Sequence, residues 1–327
     1  MSNAAGSRIA SIDQLRGYAI AGMIFVNWLG NFKSMPWAFD HHRHGPMSYA
    51  DTIAPLFLFV VGMGFRLSFL RRSERGTAWD ARKHLAKRYV TLIVVAIAYY
   101  GPDFCVDIWD ALTYIAVAAL LILPVIDRSV SVRLIVSGVY AALFWIASSQ
   151  FGYYEWTMAR SIDGGPLGPL SWTIPLVFGT FAWDLYAAAD GKKLIRWFAS
   201  LGIGLILIGY LGVGLERMGY AVEPYNLQSQ RGGTVPYMIA STGASFLAAL
   251  LFYWVVDIRG WSVPTLSTLG SNALVIYMVQ GVVLGEMHHQ FPRDSSAIWA
   301  LCGFALVYTL CWAAARHLAK QNIIIKL

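Results

Sequence analysis

The sequence contains few charged residues. Asp, Glu, Lys and Arg make up only 13% of its 327 residues, whereas hydrophobic residues make up 57%. A soluble domain carries about one-quarter charged residues, so this composition argues against a soluble protein. Mean hydropathy is +0.54, and the 13 Trp residues suit rings at membrane interfaces. We predict an all-α, polytopic integral membrane protein.

Other features are also missing. The three cysteines, Cys105, Cys302 and Cys311, lack CxxC spacing and imply no disulfide framework. The long apolar blocks do not alternate as the strands of a membrane β-barrel do. We find no signal peptide, internal repeat or low-complexity linker. We therefore expect one domain over residues 1–327, with a tail at 1–10.

Ten apolar stretches have about the length that a bilayer requires. They are 14–31, 50–70, 86–101, 108–126, 131–149, 169–188, 194–214, 234–256, 268–287 and 295–315. With both termini in the cytosol, most of the 25 Lys and Arg residues fall on the inner side. The basic segment 71–88 is then predicted to be the longest cytosolic loop. The net charge of +7 follows from this topology and does not indicate nucleic acid.

Histidines are concentrated in the first predicted outer loop, within residues 12–64. His41, His42 and His44 lie between the first two apolar stretches. A histidine beside a hydroxyl or amine can remove its proton, which contributes about 10²–10⁴-fold in rate. The alternative is a solvated polar loop that happens to contain histidines.

Nearby polar residues could orient such a histidine. Asp51, Asp40 and Asn27 are available to fix its tautomer. Ser48 and Asp51 also fit a capping box, which would explain Asp51 as a helix start alone. Asn27 lies in an apolar stretch, so it could instead hydrogen-bond between helices.

The predicted cytosolic side carries several positively charged residues. Arg16, three residues after Asp13, could pair with it. Alternatively Arg16 could meet phosphate groups together with Arg66, Lys87 or Arg88. Positive-inside topology alone would also explain most of these bases.

The stretch 268–287 carries more polar residues than packing requires. They are Asn272, Tyr277, Gln280 and Glu286. We interpret this stretch as a helix that lines a cavity.

A zinc site is an alternative for the histidines. The outer histidines, with His288, His289 and Glu286, could supply ligands. No HExxH or other metal-type spacing occurs, so we predict no metal.

Four stretches together resemble one known family. SIDQLRGYAIAGMIFVN and YADTIAPLFLFVVG flank the histidines, and two further runs occur at 165–175 and 269–277. The chain resembles the heparan-alpha-glucosaminide N-acetyltransferase family, within the wider transmembrane acyltransferases, in its bacterial-type form. The resemblance implies acetyl transfer from cytosolic acetyl-CoA to an amino sugar or glycan at the extracytoplasmic face of a bacterial inner (plasma) membrane.

The resemblance also implies site residues. The family's catalytic histidine stands ten residues before an Asp, which gives His41 before Asp51. His41 would act as general base or transient acyl carrier, with Asn27 and Asp51 orienting it, although His44 or His42 could hold the role. The residues implied to contact CoA are Arg16, Arg66, Asn272, Lys87 and Arg88.

The chain departs from the family pattern at three places. The family's H-A-x-W-x-G run is His-His-Arg-His-Gly-Pro at 41–46 here, without the Trp. The carboxylates of its D-P-E-G run are replaced by Gly165 and Leu167, and its L-Q-R run is 112–114, Leu-Thr-Tyr, here. The acceptor, the acyl chain, the order of substrate addition and a homodimeric state stay open. The alternatives are a permease for a sugar or glycolipid, a zinc-dependent membrane hydrolase, and a relative that has lost the chemistry.

Overall fold

The computed structural model describes residues 9–41, 47–103, 108–220 and 227–323, and within these ranges all regular structure is helical. A π-helical segment, Tyr253–Ile258, extends α10, and short 3₁₀ turns occur at Trp37–Phe39, Leu123–Val125 and Gly165–Leu167. The α-helices are α1 Ala10–Leu29, α2 Ala50–Ser73, α3 Ala78–Tyr100, α4 Ala111–Ile122, α5 Val130–Gln150, α6 Tyr153–Arg160, α7 Gly168–Ala188, α8 Gly191–Gly209, α9 Leu211–Arg217, α10 Val235–Phe252, α11 Pro264–Ser271, α12 Ala273–His288 and α13 Ala297–Lys320.

The helices confirm an all-α integral membrane protein. Five described segments are long and apolar enough to cross a bilayer, and a sixth arises if the bent pair α11–α12 counts as one span. The five are α2, α5, α8 with α9, α10 with its π-helical extension, and α13. Each of the ten predicted stretches is mostly helical, two of them being divided between two α-helices, but ten crossings and cytosolic termini stay predictions.

Helix α2 lies at the centre and packs against α1, α3, α4, α7 and α10. It approaches α7 closely through glycines: a Cβ on Gly62 would lie 2.1 Å from the Leu176 carbonyl oxygen. A Cβ on Gly179 would lie 2.0 Å from the Phe59 carbonyl oxygen. Small residues let the two backbones meet, as is common between membrane helices. This contact fixes the helices that carry the site.

The stretch 268–287, predicted as a single helix, is broken. Helices α11 and α12 meet at Asn272 with a bend of 92°. Asn272 has non-helical backbone angles, φ −125° and ψ 42°. Helix α11 packs backbone to backbone on α1, since a Cβ on Gly17 would lie 1.8 Å from the Leu266 carbonyl oxygen. This packing holds α11 along α1, and α12 continues from the bend in a different direction.

The predicted cytosolic loop 71–88 is wrong in extent. Helix α2 continues to Ser73 and α3 begins at Ala78, so Lys87 and Arg88 lie inside a helix. Thr77 caps α3 by accepting the Asp80 backbone N–H at 3.1 Å. The apolar side of this first part of α3 is buried, which favours helix over loop.

The bundle has two ends that matter for function. At the His41 end, α1 finishes and α2 and α7 begin. At the Asp184 end, α1 and α5 begin and α7 finishes. The His41 end and the Asp184 end are therefore opposite ends of α1 and α7.

Candidate active site

His41 and Asp51 form the centre of the candidate site. The His41 Nδ1 lies 2.9 Å from Asp51 Oδ1. The Asp51 side chain is 1% exposed, whereas the imidazole is 42% exposed. Because the carboxylate accepts, Nδ1 carries the proton and the lone pair sits on Nε2. The ten-residue spacing thus brings together the predicted histidine and carboxylate.

Asp51 also performs the capping role that its spacing predicted. Its backbone N–H donates to Ser48 Oγ at 3.3 Å, and the Ser48 backbone N–H donates to Asp51 Oδ2 at 2.9 Å. Each carboxylate oxygen therefore has its own donor. The start of α2 fixes the carboxylate, and the carboxylate fixes the imidazole.

The surroundings of His41 favour its protonated form. Burial lowers the pKa of His41, but the hydrogen bond and charge of Asp51 raise it, with smaller contributions from Asp163 and Asp40. The net effect is a pKa above the ordinary value of 6.5. A carboxylate-backed imidazole of this kind is a stronger base than a free one.

Three further side chains extend this pair into a hydrogen-bonded chain. The Tyr237 hydroxyl donates to the Asp51 backbone carbonyl at 2.7 Å and lies 3.2 Å from Gln230 Oε1. Gln230 Nε2 donates to Asp163 Oδ1 at 3.4 Å. We call His41, Asp51, Tyr237, Gln230 and Asp163 the His41 cluster. It joins the start of α2 to the two loops before α7 and α10.

Three of these residues, Asp163, Gln230 and Tyr237, were not predicted from the sequence. Gly165 and Leu167 replace the carboxylates of the resembled family, but Asp163 lies two residues before Gly165, so a carboxylate is still present next to the run. That position is the one signal that points to Asp163, and no comparable pattern points to Gln230 or Tyr237.

Another half-buried carboxylate, Asp110, lies near enough to Asp163 for its charge to raise the pKa of Asp163. Asp110 caps α4, and Tyr277 of α12 donates its hydroxyl to Asp110 Oδ1 at 3.3 Å. The Tyr100 hydroxyl lies 2.7 Å from that of Tyr277. Burial raises the pKa of Asp110. Tyr277 and Gln280, predicted to line a cavity, are both buried, whereas Glu286 is exposed.

The other predicted catalytic residues are not joined to the pair. Asn27 has an exposed side chain, so the expectation of a buried amide bonded between helices is wrong for this residue. It makes no hydrogen bond to His41 or Asp51 in the described part of the chain. His44, like His42, lies outside the described residues.

The predicted CoA contact Arg66 belongs to a compact ion cluster. Its Nε donates to Asp184 Oδ1 at 2.9 Å, and its Nη1 donates to the Ile126 carbonyl at 2.5 Å. Arg133, 1% exposed, donates to the other oxygen of Asp184 and to Thr180 Oγ1. We call Asp184, Arg66, Arg133 and Thr180 the Asp184 cluster. It ties α2, α5 and α7 together.

The remaining predicted CoA contacts lie on α1, on α3 and at the break between α11 and α12. Arg16 pairs with Asp13 at 3.1 Å, and its guanidinium lies beside Gly64 of α2. Asn272 is buried and donates to the Ile323 carbonyl at 3.0 Å. Two bases lie on α3: Lys87 is exposed, and Arg88 stacks over Tyr89.

The described ranges contain no group of three or more His, Cys, Asp or Glu that could hold a metal ion. His288, considered as a zinc ligand, instead stacks on Trp28 with ring centroids 4.9 Å apart. Trp28 is fully buried and donates to the Ala300 carbonyl at 2.8 Å. His288 therefore packs against α1 through Trp28, and Trp28 connects α1 to α13.

Comparison with known proteins agrees with this geometry. The family model described as "Heparan-alpha-glucosaminide N-acetyltransferase, catalytic" matches residues 8–209, which include both His41 and Asp51. The chain belongs to the heparan-alpha-glucosaminide N-acetyltransferase family. This match also covers Asp163 and the Asp184 cluster, whereas Gln230, Tyr237 and Asn272 lie beyond it.

Named relatives of the family are similar over parts of the chain. The human heparan-alpha-glucosaminide N-acetyltransferase is 30% identical over 143 residues, which are 38% of this chain and 21% of that protein. The mouse protein of the same name is 30% identical over 109 residues, 32% of this chain and 16% of that protein. An uncharacterized 39.9 kDa protein of Bacillus acidopullulyticus is 30% identical over 122 residues, 36% of this chain and 34% of that protein. The matched segments thus span between 16% and 34% of these relatives.

Proposed function

We propose that this protein is a membrane acetyltransferase that moves an acetyl group from acetyl-CoA to an amino sugar or glycan. One observation carries the proposal: a buried carboxylate, Asp51, holds a partly exposed imidazole, His41, inside the segment matched by an N-acetyltransferase family. The expected location is a bacterial inner membrane, with the acceptor at the extracytoplasmic face.

The chemistry follows from the orientation of the imidazole. Asp51 holds the proton on Nδ1, which leaves Nε2 to accept a proton from the acceptor. The acceptor nitrogen then attacks the thioester carbonyl carbon. A C–N bond forms, the C–S bond breaks, and the sulfur leaves with its electron pair and takes up the proton from His41. A transient acetyl group on His41 would give the same products in two steps.

The donor would approach from the Asp184 end, where the basic side chains lie. The exposed Lys87 and the neighbouring Arg88 are best placed to meet phosphate groups. Arg16 and Arg66 already pair with carboxylates, so we assign them a secondary role in holding the helices around the donor.

The decisive experiment measures label transfer from acetyl-CoA to a panel of amino sugars by purified protein. We expect His41→Ala to lower the rate by about 10²–10⁴-fold, because the proton acceptor is lost. The matched control is His289→Ala, which removes an exposed histidine at the same end of the bundle. Both variants should unfold at nearly the wild-type temperature.

Two outcomes would contradict the proposal. Full activity of His41→Ala would remove the site. Absence of any labelled product from the wild type, together with no protection by CoA against heat unfolding, would favour a permease instead.

A further inference from the structure

Within the described residues, Asp163 of the His41 cluster has no ion-pair partner. Among the described residues, no Lys or Arg lies within ion-pairing distance of it. Arg231, whose backbone carbonyl bonds the neighbouring Gly164, turns its Nε to the Met158 carbonyl at 3.3 Å instead. A half-buried carboxylate without a counter-ion is costly unless a cation or a proton joins it.

Only one oxygen of Asp163 has a hydrogen-bond donor in the described part of the chain. Gln230 donates to Oδ1, and Oδ2 has no described donor. Gln230 and Tyr237 connect Asp163 to the Asp51 carbonyl. The chain therefore fixes Asp163 relative to His41 and leaves an acceptor atom for a ligand.

The backbone at Asp163 is held in a conformation that non-glycine residues rarely adopt. Its φ is 52°, in the left-handed region. The Trp172 indole donates to the Asp163 carbonyl at 2.8 Å. The Tyr114 hydroxyl bonds the carbonyls of Ile162 and Gly165, at 3.0 and 3.2 Å. These contacts on both sides determine where the carboxylate stands.

Charge at this point favours a cationic ligand. The pKa of Asp163 is raised to about 7, because burial, Asp110 and Asp51 raise it more than His41 and Gln230 lower it. Near neutral pH, a bound cation would keep Asp163 ionised, because opposite charge lowers the pKa of a carboxyl group.

We propose that Asp163 is a specificity-determining residue that binds the protonated amino group of the acceptor and presents it to His41. This inference rests on the proposed acetyl transfer. One ammonium proton passes to His41 and then to the leaving sulfur, and a second is released to solvent as the amide forms. A hydroxyl acceptor carries no charge at neutral pH and gains less from Asp163, so the residue favours transfer to nitrogen over oxygen.

The test compares glucosamine with glucose as acceptors for labelled acetyl-CoA. The variants are Asp163→Gly and Asp163→Asn, because both residues tolerate a positive φ and keep the backbone unstrained. We expect the KM for glucosamine to rise about tenfold or more, as for loss of a charge-assisted hydrogen bond. The KM for glucose should change far less, so the preference for the amine falls. Glu155→Gln, which removes an exposed carboxylate on nearby α6, is the matched control and should leave both values unchanged.

The two proposals fail in different ways. If the wild type labels neither sugar nor any other amine, the proposed function fails. If the wild type is active and folded Asp163→Gly keeps the wild-type KM for glucosamine, the role of Asp163 is wrong. A purely structural role would lower the unfolding temperature and the rates with both sugars in parallel, which would also overturn it.

Discussion

The His41 cluster and the Asp184 cluster differ in how their carboxylates are neutralised. In the Asp184 cluster one carboxylate meets two guanidinium groups, Arg66 on one oxygen and Arg133 on the other. In the described part of the His41 cluster, Asp51 is bonded to one imidazole and one backbone N–H, and Asp163 is bonded to one amide. One cluster is saturated with permanent cations, and the other contains only a cation that can titrate.

This difference indicates different roles. A guanidinium stays charged at any relevant pH, so the Asp184 cluster acts as a permanent link between α2, α5 and α7. An imidazole near neutrality gains and loses its proton, so the His41 cluster can exchange protons with a substrate. The comparison predicts that substitutions at the His41 end reduce activity, whereas those at the Asp184 end reduce stability.

The largest effect is expected for Asp51→Asn. The amide can no longer hold Nδ1–H of His41 as a carboxylate does, so the imidazole loses its orientation and part of its basicity. We expect kcat/KM to fall by about 10²–10⁴-fold. The amide oxygen can still accept the Ser48 backbone N–H of the capping box, which should preserve most of the helix start. Steady-state rates and thermal unfolding of the same preparation check this.

A control at the same end sharpens that result. Asp40→Asn removes a carboxylate that affects His41 through charge alone. Its rate should stay within a few-fold of the wild type, roughly as expected for a screened surface charge. Equal losses in Asp51→Asn and Asp40→Asn would mean that the hydrogen bond to His41 has no special role.

Much of this architecture was predictable from the sequence because it depends on local patterns. The apolar stretches are mostly helical, the Ser48–Asp51 spacing matches a capping box, and the ten-residue spacing implied by the family resemblance gave the pair His41 and Asp51. Each of these signals lies within a short segment, where periodicity and hydrogen-bond geometry are strongly constrained.

The parts of the site that could not be predicted depend on contacts between segments that are far apart in the sequence. Asp163, Gln230 and Tyr237 come from two loops and a helix that meet Asp51 only in the folded bundle. The ion pair of Arg66 could not be predicted for the same reason, because its partner Asp184 lies 118 residues away in the sequence. Single-segment patterns carry no information about such partners.

The second prediction concerns stability. Asp184→Asn leaves Arg66 and Arg133 facing each other without their shared carboxylate, and removing one partner of a buried ion pair costs about 3–5 kcal/mol. The unfolding temperature in detergent should fall markedly, while the rate per folded molecule should stay near that of the wild type.

The matched control for this change is Asp127→Asn. Asp127 pairs with Arg82 at 2.6 Å, but its side chain is 31% exposed. This pair is more exposed than the Asp184 pairs, so its contribution should lie closer to the value of about 0–1 kcal/mol for surface pairs. Similar unfolding temperatures for both variants would contradict a structural role for the Asp184 cluster.

The smallest effect concerns pH. His41 must be unprotonated to accept a proton, so kcat/KM should fall as pH drops through its pKa. Burial lowers that pKa, but Asp51, Asp163 and Asp40 raise it above 6.5, so the midpoint of the acidic limb should lie above pH 6.5. Asp40→Asn should move the midpoint to lower pH, and Asp127→Asn should leave it unchanged.

Stability should respond to pH in the opposite direction from activity. A pKa that is higher in the folded state means that the His41–Asp51 pair stabilises the fold fully below the unfolded value of about 6.5. That contribution is lost as pH rises through the folded value, in the same range in which the base becomes active. The pH dependence of kcat/KM and of thermal unfolding, measured on one preparation, checks both signs. A midpoint at or below 6.5 would mean that the carboxylates around His41 do not hold its proton, and the contrast between the two ends of the bundle would then lose its electrostatic basis.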